Sequence, residues 1–154
     1  MDDAVREAVL VGLMRDSGAE ADSIEIIRHK RVGDRVTALV RWTEARTGRV
    51  RRGAVELAMI DDVWRARNGW SSNADHDSDH PVWRAWGGTS HSMSGWVSDP
   101  AAARVRFRDP YGRVEEDSVE NGVAILMYDT AFDRASVVEV LDGDGNVLHT
   151  APLA

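Results

Sequence analysis

The sequence predicts an α+β chain, with an N-terminal helix on an antiparallel sheet followed by a small all-β sandwich. Three observations carry that expectation. Near the N-terminus, Val5, Ala8, Val9 and Leu13 recur at helical spacing and form one apolar stripe. Further on, runs of alternating apolar and polar residues are punctuated by Gly, Asp, Asn and Pro turn signals. Between two sets of such runs lies Ser71 to Pro81, S-S-N-A-D-H-D-S-D-H-P, which has no large apolar residue. The 154 residues are therefore divided into residues 1–71, an acidic linker at 72–81, and residues 82–154.

The helix is expected over residues 2–15. Asp2 or Asp3 can cap it, acidic side chains suit its positive end, and Gly18 is a plausible stop. Leu10, Val11 and Met14 widen its stripe, which leaves room for a partner-binding helix beside the simpler account of a helix packed on a sheet. Four strands follow. Ile24 to Val32 is the first, and Gly33-Asp34 turns the chain. In the second, Val36, Ala38, Val40 and Trp42 share one face, and Thr37, Leu39 and Arg41 the other. Arg46-Thr47-Gly48 turns into a third strand, with Val55, Leu57 and Met59 on one face and Ala54, Glu56 and Ala58 on the other. Asp61-Asp62 turns into Val63 to Trp70. One helix and an antiparallel meander make an α+β layer.

Beyond the break, short runs at Val82 to Trp86 and His91 to Val97 flank Gly87-Gly88. Ala103, Val105 and Phe107 alternate with Arg104, Arg106 and Arg108, and Asp109-Pro110-Tyr111-Gly112 is a strong turn signal. Val114 to Val119 comes next. Val123 to Tyr128 is continuously apolar, as a central strand would be. Ser136 to Leu141 and Asn146 to His149 flank a hairpin loop, Asp142-Gly143-Asp144-Gly145. Short strands at this spacing suggest a sandwich.

Composition bounds the chemistry. The absence of cysteine excludes disulfides, Cys-based zinc sites and a thiol nucleophile. No run of roughly 18 apolar residues exists to span a bilayer as a helix. The start Met1-Asp2-Asp3 lacks the basic character of a signal peptide, so a soluble cytoplasmic chain is expected. Residues 1–71 hold 13 Lys and Arg against 12 Asp and Glu, a net of +1; residues 72–154 hold 6 against 14, a net of −8. Lys30 is the single lysine, a balance that fits the coding bias of a GC-rich genome.

The helix, the long strands and the closing V-W-R-A-R-N-G-W (Val63 to Trp70) resemble the cystatin-like and NTF2-like α+β folds. NTF2-like members usually carry more helices before the sheet than this chain has. The pattern A-R-V-R-F-R-D-P-Y-G-R-V followed by V-V-E-V-L-D-G-D-G-N-V-L is similar to immunoglobulin- or fibronectin-like modules of many bacterial proteins.

Several constellations bear on function. The segment Asp75-His76-Asp77-Ser78-Asp79-His80 has metal-ligand chemistry, but its residues are adjacent and Pro81 restricts His80. A solvated linker is the expectation, with no metal or cofactor assigned. Asp142, Asp144 and Asn146 open like a calcium loop, yet the twelfth position is Leu153 instead of a bidentate acid. Ser90, His91 and Ser92 could suggest a nucleophile beside a base, but no G-x-S-x-G elbow and no phosphate-binding glycine loop accompanies them. Residues 28–52 carry nine cations, among them Arg28, Lys30, Arg41, Arg49 and Arg51. They are either the wet face of a half-covered sheet or a surface for an anionic partner. No aromatic platform and an acidic total charge argue against nucleic acid. Trp83, Trp86 and Trp96 are either core or an exposed aromatic surface.

The expectation from sequence is a non-enzymatic protein-interaction or assembly module. Arg28, Lys30, Arg41, Arg49, Arg51, Trp83, Trp86 and Trp96 would face a protein partner or a second copy. The alternative implied by the resemblance is a pocket that binds a small molecule or catalyses proton transfer. Its candidate groups are His29, Glu56 and Trp42, with Glu56 among apolar neighbours where burial would raise a carboxyl pKa.

Overall fold

The structure is a computed structural model that describes residues 1–89, 91–128 and 135–153. Among these residues the protein is mostly β, with one α-helix and three antiparallel sheets. It divides into two compact units, Met1–His76 and Asp77–Ala154. No helix among the described residues is long and apolar enough to cross a membrane.

In the first unit, α1 spans Asp3–Ser17. An Asp2 carboxylate oxygen accepts from the Ala4 N–H at 2.8 Å, which satisfies one of the free donors of the first turn. Gly18 ends the helix at φ 60°, a left-handed conformation, and the Ala19 N–H returns to the Leu13 carbonyl at 3.3 Å. Val5, Val9 and Leu13 are buried, whereas Val11 and Met14 are exposed. The covered stripe is thus the narrow one.

After a single 3-10 turn at Ala21–Ser23 come β1 (Glu25–Val32), β2 (Arg35–Thr43), β3 (Val50–Ile60) and β4 (Val63–Asn73). They pair in sequence order as an antiparallel meander. Asp61 and Asp62 turn β3 into β4, both with positive φ, as a tight hairpin of matching twist demands. Val36, Ala38, Val40 and Trp42 of β2 join Val55, Leu57 and Trp64 in one core with the helix stripe. Burial of each such side chain contributes roughly 1.5–3 kcal/mol. A β-carbon added at Gly12 would lie 2.8 Å from Ala66 Cβ, so the helix reaches β4 because Gly12 has no side chain.

The break at residues 72–81 differs from expectation. Strand β4 continues through Ser71, Ser72 and Asn73, which pair with Gly53, Arg52 and Arg51 of β3. Arg51 fixes this end, donating to Asn73 Oδ1 at 2.7 Å and to Ser71 Oγ at 2.9 Å. Further along, the Ser78 N–H reaches the Arg84 carbonyl at 2.7 Å. His80 Nδ1 accepts from the N–H groups of Val82 and Trp83 at 3.1 and 3.3 Å. Polar side chains without apolar neighbours can still order a backbone by satisfying its donors. The segment is therefore not a free acidic tether.

The second unit contains β5 (Trp83–Gly88), β6 (Ser92–Val97), β7 (Arg104–Arg108), β8 (Val114–Ser118), β9 (Val123–Met127), β10 (Val137–Leu141) and β11 (Val147–Pro152). One sheet has the order β11-β10-β7-β8 and the other β5-β6-β9. Trp83, Met93 and Val97 from one sheet share a core with Val105, Phe107, Val138 and Val140 from the other. The alternate residues Arg104, Arg106 and Arg108 point away from that core and pair with Glu116 and Glu139. Strand β9 is buried along its whole length, as its continuous apolar run predicts.

Candidate functional site

A cleft of about 260 Å³ opens in the first unit between the C-terminal half of α1 and the β3–β4 pair. Leu13 of the helix and Trp42 of β2 form apolar walls, and Ala66, Arg67, Gly69 and Ser71 line it from β4. The pairing of β3 with β4 slips here. Glu56 pairs with Asn68 and Leu57 with Ala66, so Arg67 is the extra residue of a β-bulge. Bulges re-aim a side chain and break ladder pairing locally. Arg67 is exposed, and its side chain forms no hydrogen bond or ion pair among the described residues.

Trp42 is only 2% exposed, and its indole Nε1 has no hydrogen-bond partner among the described residues. A buried N–H left without an acceptor costs on the order of 1–3 kcal/mol; Trp83 Nε1 in the core of the second unit is in the same position, but Trp42 is the one beside a cleft. At the rim, Asp16 is held by Arg15 through bonds of 2.8 and 2.9 Å. The hydrogen bond from Arg15 is the main cause of the lowered Asp16 pKa. That pair is neutral as a unit, and the unbalanced charge at the rim is Arg67. A smaller groove, about 180 Å³, shares Gly12, Ala66 and Arg67 with the cleft and adds Arg65. Arg65 is also exposed and forms no ion pair among the described residues.

The residues expected to form a pocket do not converge. Trp42 lines the cleft. Glu56 is buried on the opposite sheet face, where Arg35 approaches it at 3.5 Å. The register explains this: Glu56 pairs with Thr37, whose neighbours Val36 and Ala38 are the ones that face the helix. His29 pairs with Ala38 but is exposed on edge strand β1. Its pKa is lowered by desolvation and by the positive N-terminus and Arg28. Glu56 and His29 are therefore not an acid–base pair in the cleft.

The residues expected to face a partner are divided between the two units. Arg28, Lys30 and Arg41 lie on the sheet face away from α1, paired with Leu39, Thr37 and Arg52. Arg51 lies on the helix side and is engaged by Asn73 and Ser71. Arg49 is exposed in the turn before β3. Trp83 corrects the sequence reading outright: it is fully buried in the core of the second unit and cannot face a partner. Trp86 and Trp96 are half-buried, with the Trp86 ring 4.7 Å from that of His80.

The remaining polar constellations are structural in their visible contacts. Asp77 pairs with Arg84 at 3.4 Å. His149 Nε2 meets Asp99 Oδ2 at 2.9 Å beside the same shallow surface. The Asp99 pKa is lowered, first by the Ala101 N–H and then by the His149 bond. An Asp142 carboxylate oxygen accepts from the Asp144 and Asn146 N–H groups, each at 2.9 Å. Among the described residues no three His, Asp or Glu side chains are placed to hold a metal ion. Ser90 lies outside the described residues, and neighbouring Ser92 is buried.

Arg67 and Leu13 were not singled out by sequence reasoning as site residues. The nearest signal is Gly69, a glycine inside an otherwise regular strand pattern; it lies two residues beyond the bulge, where a β-carbon would meet the Ala54 carbonyl oxygen at 2.5 Å. No known protein family matches the chain, and no curated protein matches it either.

Proposed function

We propose that this protein is a non-enzymatic binding module whose recognition site is the α1–β3–β4 cleft. One observation carries the reading: Trp42, a buried aromatic wall of that cleft, keeps an N–H without an acceptor. The N–H is closed to solvent, so a ligand that displaces the cleft wall would have to bring the acceptor that satisfies it. The cleft is smaller than the roughly 300–1,000 Å³ of drug-sized sites, so the ligand is small. Proton-transfer chemistry is the weaker alternative, because Glu56 and His29 are directed elsewhere.

The succession of one helix and a four-stranded meander supports a cystatin-like reading of the first unit. The shared core of the two sheets in the second supports an immunoglobulin-like sandwich. In that reading the second unit is a companion or docking module and the first holds the ligand.

Amide and indole chemical-shift mapping against a library of small fragments tests the proposal. The Trp42 indole N–H signal is expected to move saturably, together with amides of Gly12, Ser17 and Gly69. If no fragment moves the Trp42 indole signal, or if shifts scatter over both units, the cleft is not the binding site.

A further inference from the structure

We infer that the cleft selects a small carboxylate with an apolar body, and that Arg67 is its anion anchor. This rests on the binding reading above and adds the chemical class of the ligand. The cleft joins two unlike ends. Its inner end is built from Leu13, Trp42, Val55 and Ala66, which favours an aliphatic or aromatic body. Its mouth carries the bulged Arg67, a guanidinium with no competing carboxylate among the described residues.

The one acid at the mouth, Asp16, is already bonded twice by its neighbour Arg15. A second cation without an ion-pair partner, Arg65, borders the adjoining groove. The local field at the mouth is therefore positive, although the chain as a whole carries a net charge of −7. A planar guanidinium suits a carboxylate because two parallel N–H groups can meet its two oxygens.

The Trp42 N–H defines the inner requirement. It is closed to bulk water and has no partner among the described residues. Its acceptor must enter with a ligand that parts the inner walls. A hydroxyl, ether or ring nitrogen on the apolar body would supply that acceptor, and a plain hydrocarbon would not. Carboxylate outside, apolar ring inside and one acceptor on the ring describe the class, for which 4-hydroxybenzoate is a compact probe.

The experiment titrates the full chain with 4-hydroxybenzoate, benzoate and 4-hydroxybenzamide while the Trp42 indole resonance is followed. The expected order is 4-hydroxybenzoate tightest, then benzoate, then the uncharged amide. Arg67→Gln is expected to weaken both carboxylates about tenfold and leave the amide unchanged. Trp42→Phe deletes the donor and part of the apolar wall, and its titrations are followed through the Gly12 and Gly69 amides. It is expected to remove the advantage of 4-hydroxybenzoate over benzoate, with some loss of melting temperature because Trp42 is a core residue. Equal binding of acid and amide, or carboxylate affinity indifferent to Arg67→Gln, overturns the carboxylate inference while leaving the cleft as a binding site. Absence of binding by all three probes, with fragments of other classes moving the Trp42 signal, also overturns it. Absence of any response from either set overturns both readings.

Discussion

Asp117 Oδ2 accepts a hydrogen bond from the Ile125 backbone N–H at 2.7 Å, joining β8 of one sheet to β9 of the other. Strand β9 is the outer member of its sheet, so one of its ladder donors would otherwise face no partner strand. Asp117 is 6% exposed and Ile125 fully buried, so water cannot replace the bond. Replacing Asp117 by Ala should cost about 1–3 kcal/mol, the penalty of an orphaned buried N–H. Asp117→Asn, which keeps an acceptor oxygen, should cost less. Urea denaturation of both variants measures the difference, and equal losses would show that the oxygen at this position is not what matters.

Gly12 should tolerate no side chain. Alanine in place of glycine inside a helix ordinarily gains about 0.5–1 kcal/mol. Here the added carbon would sit 2.8 Å from Ala66 Cβ, well inside contact distance, and neither atom is the end of a flexible chain. Gly12→Ala is therefore expected to destabilise the protein, by about 1–3 kcal/mol. Adding Ala66→Gly should recover much of the loss. A double-mutant cycle read by thermal melting checks the coupling, and strict additivity would place the clash elsewhere.

Glu139 gives the second unit an acid-sensitive tie. Burial works to raise its pKa, but hydrogen bonds from Arg106 and Arg108 prevail and hold it below the ordinary glutamate value. A carboxyl with a lowered folded-state pKa adds stability that is in full force above the unfolded pKa. That stability is lost as pH falls through the folded pKa. Melting temperature should thus decline as pH drops below the ordinary carboxylate range, and Glu139→Gln should flatten that decline while lowering stability near neutrality. A slope unchanged by the substitution would assign the acid sensitivity to other groups.

The hairpin at Asp142 should not depend on calcium. Its carboxylate already receives the N–H groups of Asp144 and Asn146, and the Asn146 bond is the first cause of its lowered pKa. Chelation of divalent ions is expected to leave the melting temperature of the full chain unchanged. Asp142→Ala is expected to lower it. A large drop on chelation would mean that a metal ion holds this loop.

The meander was readable in the sequence because alternation is a local property. Val36 to Trp42 declares two faces without reference to any partner, and one of them is the face α1 covers. What escaped depends on pairing between distant residues. Ser71 to Asn73 look like a loop until Arg51, Arg52 and Gly53 are laid beside them. Trp83 and Trp86 flank Arg84-Ala85 in a short run, and composition cannot tell which ring points into the core. The cleft was half visible: Trp42 was among the suspected pocket residues, but the register slip that brings Arg67 to its mouth follows from the β3–β4 ladder.

The arginines of the second unit have a consequence for how it meets charged bodies at a distance. Arg84, Arg104, Arg106, Arg108 and Arg113 each pair with an acid of their own unit. Asp77, Glu116, Glu139 and Asp109 supply those partners, with Glu116 and Glu139 each shared by two arginines, so these cations stand beside acids instead of forming a bare positive patch. The surplus acids then set the long-range potential, so this half should adhere to an anion exchanger and repel polyanions such as DNA at low ionic strength. An anionic molecule would be repelled by this unit and drawn to the cations of the other, Arg65 and Arg67 among them.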